Sequence, residues 1–240
     1  MRAALETFGG LASLIYPPAC AICSASVGSH EYLCADCDEK LSRIVAPFCA
    51  KCSEPFDGAI TTPFSCVNCA HRKLYFDAAI SAYRSRGIAR HVILNFKYGK
   101  QIHLRRLVGG WLIAALADSR LRQRHFNLIV PVPLHPAKQR ERGFNQAALL
   151  AELAGLHLGV PVRSTLERVR FTTTQTAFDR AERMQNLRHA FRLRRNADVR
   201  RLDVLLIDDV LTTGSTLSEC ARVLKENGAR AVYAATAARA

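Results

Sequence analysis

No stretch of this chain is long and apolar enough to cross a bilayer, because the hydrophobic segment Leu104–Ala117 is broken by Arg105, Arg106 and Gly109-Gly110. A secretory leader is expected to be absent too. Leu5, Phe8, Leu11, Leu14 and Ile15 form an apolar pattern, yet only Arg2 precedes it, Glu6 interrupts it, and Pro17-Pro18 stand before Cys20 where small cleavage-site residues belong. Residues 1–18 are expected to form an amphipathic helix docked on the protein, with a membrane-surface role as the weaker alternative. A cytoplasmic location follows as the expectation, and with it reduced thiols.

Acid is the other shortage. Against 34 Lys+Arg there are 20 Asp+Glu, a net charge of +14. The imbalance is local: residues 1–75 carry net −1 and residues 76–240 carry net +15. From Arg84 to Arg106 there are seven basic residues and no acid at all. The second part is thus the anion-binding part, whether for pyrophosphate, nucleic acid or both. With 49% hydrophobic and 22% charged residues, a disordered chain is excluded.

Large apolar groups are scarce between Cys20 and Cys69, too scarce for that segment to fold without metal or cross-links. What it has instead is cysteine. Eight of the nine fall in four C-x-x-C pairs, Cys20/Cys23, Cys34/Cys37, Cys49/Cys52 and Cys66/Cys69, separated by 10, 11 and 13 residues. Two such pairs close one tetrahedral thiolate site, so four pairs predict up to two structural zinc ions, and disulfides are the poorer explanation in a reducing compartment. Sequential and crossed pairings both fit the spacing. Ser24, Asp38, Ser53 and Ala70 follow the pairs where zinc knuckles often have glycine. His30 and His71 read as surface residues, because eight thiolates leave no vacancy, and Cys220 reads as a small buried side chain.

The stretch around which the second part is organised is Asp203–Thr216. Val204–Ile207 is an apolar run of a strand buried on both faces. Asp208 and Asp209 follow it, then the hydroxyl-rich turn Thr212, Thr213, Gly214, Ser215 and Thr216, then a helical pattern from Leu217. Amide N–H groups at the helix start, with these hydroxyls, suit a phosphate monoester, and Gly214 allows close backbone approach. The two carboxylates suit sugar hydroxyls or a magnesium shell. From Val204 to Thr216 the stretch resembles the 5-phosphoribosyl-1-pyrophosphate (PRPP) signature of type I phosphoribosyltransferases.

Asp77–Tyr83 reads as a strand and Gly87–Lys100 as a helix ending near Gly99. Lys97, Tyr98 and Lys100 alternate lysine with aromatic, a pattern suited to backbone phosphates and stacked bases; the competing reading buries Phe96 and solvates the lysines. Leu128–Pro133 reads as a second buried strand running into a basic loop, whose Lys138, Arg140 and Arg142 could hold pyrophosphate, followed by a helix from Ala147 to Leu156. Arg163–Arg201 carries eleven arginines against four acids.

Taken in order, the cysteine pairs, Phe96-Lys97-Tyr98-Gly99, Pro131-Val132-Pro133-Leu134, Arg142-Gly143-Phe144-Asn145-Gln146 and Asp208-Asp209 look like the ComF family of competence proteins. The block Leu166–Arg170, Thr174-Gln175-Thr176, Arg180–Arg183 strengthens the likeness. The resemblance implies an α/β fold of the type I phosphoribosyltransferase kind, a mostly parallel sheet over residues 76–240 with strands at 78–83, 128–133, 203–207 and 230–235, preceded by a double zinc ribbon over 19–75. It implies PRPP with magnesium as ligand, Asp208 and Asp209 on the ribose, and a mobile loop containing Arg168, Arg170, Thr174 and Gln175 over the substrate. Single-stranded DNA is the implied macromolecule, with Arg180 and Arg183 joining the contacts, in DNA uptake or related nucleic-acid handling. Two other readings remain: a transferase acting on an unidentified small nucleophile, and a zinc-ribbon adaptor for a DNA helicase or recombination partner. Simple purine salvage is disfavoured, since Thr212 stands where hypoxanthine-guanine transferases carry an acidic base.

Overall fold

The computed structural model of the chain describes residues 18–28, 31–60, 62–99, 101–170 and 189–240. The expected helix over 1–18, and the site candidates Lys100, Thr174, Gln175, Arg180 and Arg183, lie outside them, apart from Pro18.

Two short helices, α1 (Ala35–Glu39) and α2 (Val67–Ala70), belong to the cysteine-rich segment. The rest alternates strand and helix: β1 (Ala79–Arg84), α3 (Gly87–Tyr98), α4 (Arg105–Leu116), α5 (Ser119–Arg122), β2 (Leu128–Pro131), α6 (Pro136–Arg142) and α7 (Gln146–Leu158). Then come β3 (Leu166–Arg168), β4 (Phe191–Leu193), β5 (Asp203–Leu211), α8 (Ser215–Glu226) and β6 (Ala231–Arg239). β1, β6, β5 and β2 form, in that order, a four-stranded sheet whose pairings are all parallel. A parallel sheet must be covered on both faces, and the apolar β5 reads accordingly, with Val204, Leu205, Leu206 and Ile207 fully buried.

Alternation along β5 divides the core. Leu205 and Ile207 pack with Val92 and Phe96 of α3, Trp111 of α4 and Leu150 of α7. Val204 and Leu206 face the other way, onto Leu217 and Cys220 of α8, Leu166 of β3 and Phe191 of β4. The small antiparallel pair β3–β4 lies on this second side.

Several boundaries differ from expectation: β2 ends at Pro131 and not at 133, and β6 runs to Arg239 and not to 235. β5 does not stop at Ile207 but continues through both aspartates, because Asp208, Val210 and Leu211 stay in register with Thr236, Ala238 and Arg239 of β6. The basic loop at 138–142 is the helix α6. Pro136 opens it at a position that has no use for an N–H, His135 Nδ1 accepts from the Ala137 N–H at 3.2 Å, and Gly143 closes it at φ 81°. The helix expected over Ala147–Leu156 is longer, running from Gln146 to Leu158, with Asn145 Oδ1 accepting from the Ala147 N–H at 3.0 Å.

Candidate functional site

The cysteines fall into two groups, Cys20/Cys23/Cys34/Cys37 and Cys49/Cys52/Cys66/Cys69, each with all sulfurs within 4.8 Å of one another. Pairing is therefore sequential, not crossed. Cys23 and Cys34 Sγ are 3.6 Å apart, as are Cys52 and Cys66 Sγ. Tetrahedral Zn–S bonds of about 2.3 Å require sulfurs about 3.8 Å apart, so both groups fit a structural zinc ion, up to two in all. Ser24 and Ser53 adopt the left-handed backbone, φ 60° and 57°, that glycine would take in an ideal knuckle. Burial and the neighbouring thiols push the Cys37 thiol up to about 12. Cys20 goes the other way, to about 6, because N–H donors of Cys23, Cys34 and Ile22 outweigh its burial.

The second group is built into the α/β part. Arg120 of α5, held by Asp118 Oδ2 at 2.7 Å, donates to the Ala50 carbonyl at 3.1 Å and to Ser53 Oγ at 3.1 Å. Ser53 Oγ in turn donates to the Ala79 carbonyl of β1 at 3.1 Å, and Arg239 of β6 bridges to Glu54.

At the carboxyl end of β5 the aspartates diverge. Asp209 accepts from Lys97 Nζ of α3 at 2.9 Å, with side-chain exposures of 7% and 20%. Burial works against the Lys97 charge, but Asp209 outweighs it and holds the ammonium above its ordinary value. Lys97, expected on the nucleic-acid surface, thus has its charge committed inside the acid site. Asp208 points by alternation to the α8 side, where burial and then the Asp209 charge push its carboxyl up to about 7. Its Oδ1 also accepts the Asp209 N–H at 2.9 Å.

Beyond Leu211 the turn is compact. Thr212 is exposed, Gly214 is left-handed at φ 76°, and α8 begins at Ser215. Gly214 is the N-cap and has no side chain to cap the helix, and the Ser215 N–H makes only a long bond, 3.4 Å, to Thr213 Oγ1, so the start of α8 suits an anionic ligand. Thr213 Oγ1 and Ser215 Oγ share a hydrogen bond of 2.9 Å, and Thr216 lies partly buried beside them.

The basic residues gather close by. Lys138 is pulled below its ordinary value by burial, with the Arg168 and Arg142 guanidiniums acting in the same direction, so these three charges are neighbours. Arg168, at the end of β3, stacks over Phe191 at 5.4 Å and is held below its ordinary value by burial, which the Asp208 charge opposes. Arg140 is exposed on α6, and Arg170 lies just beyond β3. Arg142 donates to Gln146 Oε1 at 3.1 Å and to the Tyr98 hydroxyl at 2.9 Å, its guanidinium 4.6 Å from the centre of that ring. Tyr98 remains 61% exposed, an aromatic face open to a stacking partner. Phe96 is buried against Phe144.

Sequence reasoning missed Asn68 and Arg72. Asn68 Nδ2 donates to the Thr213 carbonyl at 3.3 Å, as Arg72 Nη1 does at 3.2 Å, while Arg72 Nη2 donates to Ser215 Oγ at 2.9 Å. Their sequence signal is slight: Asn68 sits inside the Cys66-x-x-Cys69 pair and Arg72 three residues beyond it.

Residues 146–240 match the family model described as the phosphoribosyl transferase domain, and residues 11–72 match that of the double zinc ribbon domain. With its parallel sheet and two thiolate groups, the molecule is a phosphoribosyltransferase-type α/β protein carrying a double zinc ribbon. It is 31% identical over 215 residues to competence protein F of Haemophilus influenzae, covering 87% of this chain and 90% of that protein. It is 30% identical over 224 residues to the DNA utilization protein YhgH of Salmonella typhimurium, covering 91% and 96%. With competence protein ComFC of Bacillus subtilis the identity is 28% over 204 residues, covering 82% and 80%. The chain belongs to the ComF family of competence proteins.

Proposed function

We propose that this protein binds PRPP with magnesium at the 208–216 site and engages single-stranded DNA with its basic surface, acting in the cytoplasm in DNA uptake or related nucleic-acid handling. The observation that carries the ligand half is the passage from two carboxylates at a strand end to a left-handed glycine at the N-cap of a helix within six residues. The turn suits the 5′-phosphate, Asp208 and Asp209 suit the ribose hydroxyls, and Lys138, Arg140 and Arg142 suit the pyrophosphate, with the segment that begins at Arg168 and Arg170 as cover. Magnesium bound with PRPP would neutralise pyrophosphate charge, and Asp208 and Asp209 are carboxylates that would suit its shell. The DNA half is supported by the charge of residues 76–240, by the exposed Tyr98–Arg142 stack, and by the names of the relatives.

A transferase acting on an unidentified small nucleophile is the second reading. A carboxyl raised to about 7, as in Asp208, is matched to proton transfer at neutral pH. Titration with PRPP and magnesium, followed by assay for pyrophosphate release with and without nucleotides and DNA, tests both readings. Saturable binding that is lost in D208N/D209N supports the site, and release supports transfer. A protein that binds no PRPP, or an Asn variant that binds it unchanged, sinks the proposal.

A further inference from the structure

We infer that Arg72, with Asn68, positions the phosphate turn and brings a cation to it, so that the second cysteine group belongs to the sugar-phosphate site. The inference rests on reading 212–216 as a phosphate cradle.

The turn has a weakness that the ribbon corrects. Gly214 has no side chain to select its conformation, so the Thr213–Gly214 peptide plane is free to rotate unless something outside holds it. Two donors do. The Thr213 carbonyl accepts from Asn68 Nδ2 at 3.3 Å and from Arg72 Nη1 at 3.2 Å, and Arg72 Nη1 also donates to Asn68 Oδ1 at 2.6 Å. In a trans planar peptide the N–H points opposite to the carbonyl, so fixing Thr213 O on the ribbon side turns the Gly214 N–H away from the ribbon. That is the group a phosphate oxygen at the start of α8 would use.

Arg72 acts on the hydroxyls as well. Arginine only donates, so at the 2.9 Å contact between Arg72 Nη2 and Ser215 Oγ the serine is the acceptor. The serine's own proton is left to give, to Thr213 Oγ1 at 2.9 Å or to an arriving phosphate oxygen. A donated bond from a cation strengthens the next bond in the chain.

Asn68 lies in α2, only four residues long, with Cys66 before it and Cys69 within it, and Arg72 follows two residues after its end. Such a turn does not hold its shape alone; the Cys49/Cys52/Cys66/Cys69 group holds it.

Ribose 5-phosphate reads the cradle, and magnesium pyrophosphate reads the basic end. In calorimetry on full-length protein of wild-type zinc content, R72A should lose about tenfold or more in affinity for ribose 5-phosphate, as suits the loss of charge-assisted hydrogen bonds. Its pyrophosphate affinity should stay at the wild-type value. R72K, which keeps the charge but not the fork, should fall between the two, and N68A should weaken ribose 5-phosphate binding less than R72A. Unchanged ribose 5-phosphate binding in R72A overturns the inference, as does equal loss for both probes, which would make Arg72 a support of the fold alone. A wild-type protein that does not bind ribose 5-phosphate removes the cradle reading and this inference with it, an outcome distinct from failure in the variants only.

Discussion

Asp208 sets the pH behaviour at the smallest scale. Burial, and then Asp209, raise its carboxyl from 3.8 to about 7, so the folded chain holds that proton more tightly than the unfolded chain does. The resulting stability is fully present below about pH 4 and is lost as pH rises through 7. In melts without ligand, D208N should be more stable than the wild type at pH 8, by roughly 1–3 kcal/mol, and nearly equal to it at pH 4. The reverse order would contradict a half-buried, proton-retaining carboxyl. Lys97 and Asp209 give a second case. K97M leaves Asp209, 7% exposed, without its cation, and urea unfolding should show a loss of about 3 kcal/mol. K97M/D209N should recover part of it, because the stranded charge is gone.

Among the elements, what the sequence disclosed was what an apolar period discloses. Val204–Ile207 announces a buried strand, and the extent of α3 shows in Val92, Ile93 and Phe96. The continuation of β5 was hidden because two aspartates and a threonine imitate a turn; only the backbone register with Thr236 and Ala238, and the charge of Lys97, keep them in a strand. α6 reads as a loop in the sequence although Pro136 and Gly143 mark both its ends, since five polar residues between them offer no apolar face. Two glycines carry element-level predictions. A Cβ at Gly155 of α7 would lie 3.0 Å from the Val160 carbonyl and 2.5 Å from Val162 Cγ2, so G155A should cost roughly 1–3 kcal/mol in chemical denaturation. At Gly214 a Cβ meets only ordinary contacts at 3.5 Å, so the cost of G214A is the left-handed backbone itself, about 1 kcal/mol. A neutral G155A would mean that the end of α7 shifts freely.

For the whole molecule, the spacers of 10, 11 and 13 residues could not choose between pairings, because any of them spans either site. The fold chose, by burying Cys20 and Cys37 with the α3–α4 side of the core and Cys49 and Cys52 with the α8 side. Elemental analysis should find two zinc equivalents, falling to one in C23S/C34S and to one in C66S/C69S. Only the second variant should also weaken ribose 5-phosphate binding, and equal effects would argue against a local link. With net charge +14, the logarithm of single-strand affinity should fall linearly with the logarithm of salt concentration, and anisotropy titrations unchanged between low and physiological salt would deny the basic surface its role.

The sheet order has a consequence for biosynthesis. β6 sits between β1 and β5, yet its Ala234 partner lies 155 positions after Ala79. On the ribosome both thiolate groups emerge, and are able to take up metal, long before the strand that closes the sheet is made. Until then β1 and β5 expose unsatisfied edges, the kind of surface that pairs with other chains, while the ribbon is already able to fold around its metal.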